Sequence, residues 1–113
     1  FLPIIIAQIE NKEVFNDLNV LMKNKLIDAF FIGPYDLSAS LNITGDFKNK
    51  KYTNYLNNFK KSAKKYKKPI GIHCINTNEK ILKKIIKDNY CFIAYSTDAQ
   101  MLINSLPNNF ISK

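Results

Sequence analysis

Arginine does not occur in these 113 residues; every one of the 17 basic side chains is a lysine, and the net charge is +8. Without the planar guanidinium fork that reads phosphates and base edges, the basic balance does not point to nucleic acid. Lysine and asparagine are abundant throughout, as AT-rich coding produces, so the charge does not point to an anionic membrane either. No apolar run reaches the roughly 18 residues that a membrane span needs. The opening Phe1-Leu2-Pro3-Ile4-Ile5-Ile6-Ala7 is apolar but has no basic flank, and polar Gln8 and Glu10 end it, so it is not a signal peptide. It reads as a chain that starts inside a domain, on a buried strand. Cysteine occurs only twice, at Cys74 and Cys91, with no CxxC spacing. Both lie in apolar stretches and are expected to be buried free thiols, which fits a reducing cytoplasm. No repeat, linker or low-complexity tract divides the chain, so residues 1–113 are expected to form one domain.

What is present is ordinary globular composition, 46% hydrophobic and 23% charged. Short apolar runs alternate with amphipathic segments. Leu2 to Ile9 reads as a strand buried on both faces. Val14, Leu18, Leu21 and Met22 follow at helical spacing. A second apolar run, Ile27 to Ile32, ends at Gly33-Pro34, a strong turn signal, and a polar loop containing Asn42, Thr44, Gly45 and Asp46 leads on. Tyr52, Tyr55, Leu56, Phe59, Ala63 and Tyr66 mark one face of a helix. The lysines between them, across the Lys48 to Lys68 stretch, mark its solvated face. The third strand is Ile70 to Ile75. Thr77 is placed to cap a helix that buries Ile81, Leu82, Ile85 and Ile86. The fourth strand is Cys91 to Tyr95. A short last helix, Ala99 to Ser105, stops before Pro107, with Asp98 as its candidate cap. This β-α-β-α-β-α-β-α order implies parallel pairing and right-handed crossovers. Periodicity alone allows either a small open α/β sheet or half of a (β/α)₈ barrel, whose full length is roughly 250 residues.

Candidate chemistry gathers at strand ends. Gln8 and Glu10 are two residues apart, so their side chains share one side of the first strand. The C-terminal strand ends form the active face of a parallel sheet. Glu10 suits a metal ligand there, and equally a surface residue opening the next helix. Gly33 permits a tight backbone, Pro34 stiffens it, and Asp36 is presented just beyond the second strand, as a ligand or as a helix cap. Two carboxylates on neighbouring strand ends make a hard-oxygen site of the kind that suits Mg²⁺ or Mn²⁺. A 2-oxo acid could chelate such a metal, which would polarise its ketone and stabilise an enolate. The lone histidine, His73, reads as a partly buried strand residue.

Gln8-Ile9-Glu10, followed about 20 residues later by Phe31-Ile32-Gly33-Pro34-Tyr35-Asp36-Leu37-Ser38-Ala39-Ser40, resembles the HpcH/HpaI aldolase family. Pro69-Ile70-Gly71-Ile72 and Phe92-Ile93-Ala94-Tyr95-Ser96-Thr97-Asp98 resemble that family's last two strands. The resemblance implies four βα units, the C-terminal half of a (β/α)₈ TIM barrel. It also implies a class II, metal-dependent lyase that cleaves 4-hydroxy-2-oxo acids to pyruvate and an aldehyde. Glu10 and Asp36 match the two metal-binding carboxylates. Gln8 matches a glutamine of the catalytic set beside the bound pyruvate. Gly33, Pro34, Tyr35 and Asp36 match the loop that cradles the substrate carboxylate, with Tyr35 where many members have alanine. The family's general-base histidine and substrate-binding arginine belong to the N-terminal half, and His73 does not match that histidine. A catalytically incomplete fragment, a 2-oxo-acid-binding subunit and a citrate-lyase-like enzyme on coenzyme A esters are the alternatives. The family implies a homo-oligomer in the intact enzyme.

Overall fold

The fold was read from a computed structural model, which describes residues 1–107. Four strands, β1 (Ile6–Ile9), β2 (Ala29–Ile32), β3 (Ile70–Cys74) and β4 (Phe92–Tyr95), form one parallel sheet in the order β1-β2-β3-β4. Sequence order therefore equals spatial order. Right-handed crossovers all made in one direction put their helices on one face of a sheet.

The register fixes the two faces. Ile9, Ile32 and Ile72 lie side by side, and so do Phe30 and Ile70. These five residues are buried, and Phe30 and Ile32 are fully inaccessible. They meet α3 (Lys50–Tyr66), whose Phe59 and Ala63 are buried, and the Phe30 and Phe59 rings meet edge to face at 6.4 Å. Fully burying one such aromatic stabilises by about 1.5–3 kcal/mol. Asn49 caps α3 by accepting the Lys51 N–H, and Lys67, with φ 55°, ends it in the left-handed region. The packing of α3 against α1 (Leu18–Lys23) completes the core through Leu18 and Met22.

The alternate residues occupy the other face. Gln8, Phe31, Gly71 and Phe92 form one row across the sheet. The Phe31 and Phe92 rings stack at 5.7 Å over Gly71. A Cβ at Gly71 would stand 2.2 Å from the Phe92 ring, so only glycine fits.

Several expectations are corrected. The first strand is not buried on both faces: Leu2, Ile4, Ile5 and Ile6 are 90%, 79%, 45% and 50% exposed, because β1 is a sheet edge. The first helical stretch splits into a 3-10 turn, Lys12–Asn16, and α1, with Asp17 between them. The segment after Gly33 is a helix, α2 (Pro34–Ser40), with proline at its first position. In α4 (Glu79–Lys87) no residue is buried, and Ile81 and Ile86 are exposed; its cap is Asn78, not Thr77. Thr97, not Asp98, caps α5 (Asp98–Ser105), by accepting the Gln100 N–H. Cys74 is buried but Cys91 is exposed. Among the described residues, no helix is long and apolar enough to cross a membrane.

Candidate functional site

The C-terminal strand ends bring three of the expected residues together. Gln8 Nε2 donates to Glu10 Oε1 at 2.7 Å. Both side chains lie over Gly33: a Cβ there would stand 3.0 Å from Glu10 Cγ, 3.2 Å from Glu10 Oε1 and 3.4 Å from Gln8 Nε2. The glycine is thus a cradle for the amide–carboxylate pair, and the Gly33 N–H donates to the Ile9 carbonyl at 3.1 Å to hold β1 against it. Glu10 is exposed at the rim, so its unpaired oxygen faces solvent.

Asp36 sits in the first turn of α2 and is exposed. Negative charge is favourable at a helix start, and the Tyr35 and Asp36 N–H groups precede the first intrahelical bond, made by Leu37 to the Gly33 carbonyl at 3.0 Å. The two serines of the motif are structural. Ser38 is fully buried, donates to the Tyr35 carbonyl at 2.8 Å and accepts from the Gly45 N–H at 3.0 Å. Ser40 accepts the Lys12 N–H at 3.0 Å and donates to the Leu37 carbonyl at 2.8 Å, tying the loop after Glu10 to α2. Each hydroxyl therefore helps to fix where the two carboxylates stand.

The structure joins Gln8 and Glu10 over Gly33 and presents Asp36 from α2; two exposed carboxylates and an amide are hard-oxygen groups of the kind that suit Mg²⁺ or Mn²⁺ rather than a soft metal. Among the described residues no three His, Cys, Asp or Glu side chains cluster, so water or a chelating substrate would complete any coordination shell. Glu10 and Asp36 form no ion pair among the described residues, leaving both free for a cation.

Tyr35 is 47% exposed and opens an aromatic row: its ring meets Phe47 at 5.2 Å, and Phe47 meets Tyr52 at 5.4 Å. This row walls an open groove of about 980 Å³ that also reaches Tyr90 and the end of β3. The groove touches the site at Pro34 and Tyr35 and does not include Gln8, Glu10 or Asp36. Burial holds the Tyr52 and Tyr90 hydroxyls well above the ordinary phenol range, and the neighbouring Tyr90 and Asp88, respectively, push in the same direction. Burial likewise raises the Cys74 thiol.

Sequence reasoning set His73 aside. The structure puts it half-buried on the same face as Glu10 and in the same row, two residues beyond Gly71 on β3. Counting by twos along the strands from the two phenylalanines that frame that face is the signal that finds it.

No family model matches the sequence, and no curated protein matches it. Solved structures do. An HpcH/HpaI aldolase from Desulfitobacterium hafniense DCB-2 is 22% identical, with a TM-score of 0.79 over 93% of this chain and 44% of its own. An HpcH/HpaI aldolase/citrate lyase family protein from Burkholderia cenocepacia J2315 is 22% identical, with a TM-score of 0.83 over 90% of this chain and 39% of its own. Citrate synthase SbnG is 16% identical, with a TM-score of 0.75 over 89% of this chain and 41% of its own. The chain therefore spans less than half the length of each of these structures. Its parallel sheet and one-sided helices are the architecture that HpcH/HpaI aldolase family proteins share with it.

Proposed function

We propose that this chain is the C-terminal half of a (β/α)₈ barrel lyase that cleaves 4-hydroxy-2-oxo acids to pyruvate and an aldehyde. The observation that carries the reading is the Gln8–Glu10 pair seated on Gly33, next to the helix that presents Asp36. Glu10 and Asp36 would hold Mg²⁺ or Mn²⁺, and the metal, when bound, supplies Lewis acidity to a keto oxygen. Gln8 keeps Glu10 aimed and offers an amide to the substrate. The Tyr35 and Asp36 N–H groups can receive a substrate carboxylate, and the Tyr35 ring narrows the rim where the aldehyde portion would leave. The whole enzyme in this reading is a homo-oligomer. Two free thiols, one exposed, favour a reducing cytoplasm.

Titration of Mn²⁺ by electron paramagnetic resonance, with and without pyruvate, tests the site. Binding tightened by pyruvate and lost in Glu10→Gln/Asp36→Asn supports it. Binding unchanged in that variant removes the carboxylates from the site. In the intact enzyme, activity that survives a chelator rejects metal dependence.

A second reading keeps the binding and drops the turnover. In this reading the Gln8–Glu10 pair on Gly33 binds the 2-oxo acid and no group of the chain moves a proton. It predicts pyruvate binding without cleavage of any 4-hydroxy-2-oxo acid in the intact protein.

A further inference from the structure

The face that carries Gln8 and Glu10 holds a second row, one step nearer the C-terminal strand ends. His73 pairs with Ala94 of β4, and the strands β1 and β2 continue one residue past their last pair, Ile9 with Ile32, to Glu10 and Gly33. The row is Glu10, Gly33, His73, Ala94. Side chains alternate along a strand, so all four positions share the face. Glu10 and His73 are separated by β2, at about 9–10 Å for two strand spacings. The position between them is Gly33, which has no side chain, and the one beyond His73 is Ala94. Beneath the row lies the stacked Phe31–Phe92 pair. Glu10 and Gln8 lean over Gly33 toward β3, so the acid and the imidazole share one row of the face, with the aromatic pair in the row below.

His73 is also held. Its Nε2 lies 2.8 Å from the Ser96 carbonyl oxygen. A carbonyl only accepts, so in the neutral ring Nε2 carries the proton and Nδ1 carries the lone pair. Among the described residues no hydrogen bond reaches Nδ1. Ser96 is buried and has φ 60°, a left-handed conformation that residues other than glycine rarely adopt. Its N–H donates to the Cys74 carbonyl at 2.7 Å, so the turn that aims its own carbonyl at His73 is fixed from both sides. His73 is half-buried, so part of the residue is open to solvent.

We infer that His73 is a proton-transfer residue, additional to the histidine that the family resemblance places in the N-terminal half, for a 2-oxo acid held between it and Glu10. The inference rests on the 2-oxo-acid site proposed above. Nδ1 takes a proton from C3 of the acid. The C3–H bond breaks and an Nδ1–H bond forms. The C–H electron pair becomes the C2–C3 double bond, and the keto π pair moves onto the C2 oxygen. In the cleavage direction the ring first takes the C4 hydroxyl proton as the C3–C4 bond breaks to aldehyde and enolate, and the imidazolium then delivers that proton to C3 of the enolate. The Ser96 carbonyl steadies the ring when it becomes cationic.

The test follows exchange of pyruvate methyl protons with D₂O by NMR, with Mn²⁺–pyruvate binding measured in parallel on the same chain. The expected result is that His73→Ala slows exchange at least about 100-fold, the lower range for general acid–base catalysis, while binding changes little. Free imidazole should restore part of the exchange, which a merely structural role would not permit. In metal-free protein, ¹⁵N shifts should show the proton on Nε2. Exchange that persists in His73→Ala with binding intact overturns the role of His73 and leaves the carboxylate site standing. Absence of Mn²⁺–pyruvate binding in the unsubstituted chain overturns both.

Discussion

Gly33 sets the geometry of the Gln8–Glu10 amide–carboxylate pair by having no side chain. Gly33→Ala would put a methyl group 3.0 Å from Glu10 Cγ, tighter than ordinary contact, and the exposed glutamate can move away. The fold should therefore survive while the Mn²⁺ affinity of the proposed site falls about tenfold, a loss of about 1.4 kcal/mol. Circular dichroism beside the titration separates the two effects. The buried phenols respond to pH. Their folded pKa values lie above the free value of about 10, so the unfolded chain ionises first as pH rises. Their contribution is complete below pH 10 and is lost as pH climbs toward the folded values, by about 1.4 kcal/mol per pH unit for each tyrosine. Urea midpoints at pH 9, 10 and 11 should fall for the unsubstituted chain and fall less for Tyr52→Phe/Tyr90→Phe.

At the scale of elements, Asn49 gives a clean test. Its side chain accepts the Lys51 N–H at the start of the longest helix. Asn49→Ala should cost about 1 kcal/mol in urea unfolding, with the slope unchanged. The four strands and α3 were readable because each is a run of one periodicity bounded by proline, glycine or asparagine. The α2 helix was not. Gly33-Pro34 signals a turn, but proline is also favoured in the first turn of a helix, and seven residues are too few to show a helical stripe. Ile81 and Ile86 were read as buried from spacing alone. Spacing defines a face but not whether anything covers it, and in this chain they remain exposed. The Gln8–Glu10–Gly33 cluster was half legible. Alternation placed Gln8 and Glu10 together, but only the parallel register showed that Gly33 lies under them. A lone histidine on a strand reads as structural, and only its neighbours across the sheet suggest chemistry for His73.

The whole molecule is flatter and more exposed than a closed globule of its mass. Its radius of gyration is 15.8 Å and its extents are 51 × 37 × 22 Å. A compact domain of this length would have roughly 13 Å. Its accessible surface is 8271 Å², against roughly 6,400 Å² expected for a folded monomer of 13.1 kDa. The surplus is more than the roughly 800 Å² that one partner contributes to a standard interface. Strands β1 and β4 are open edges, and Ile4, Ile5 and Ile6 are exposed beside one of them. The net charge of +8 opposes self-association at low salt. Sedimentation of this chain should therefore show oligomers that grow with protein and with salt concentration, and Ile6→Lys should reduce them. A monomer at all salt concentrations would show that the open edges are inert.

The strict β1-β2-β3-β4 order has one more consequence. Each strand hydrogen-bonds only to strands adjacent in the chain, so no unit is threaded between distant ones. A cut in a loop between units would sever one covalent link and remove no sheet contact. Such a chain can be divided into pieces that reassemble by the same pairings, and lengthened at either edge without rewiring what is already paired. Its architecture is thus closer to a row of tiles than to a knot.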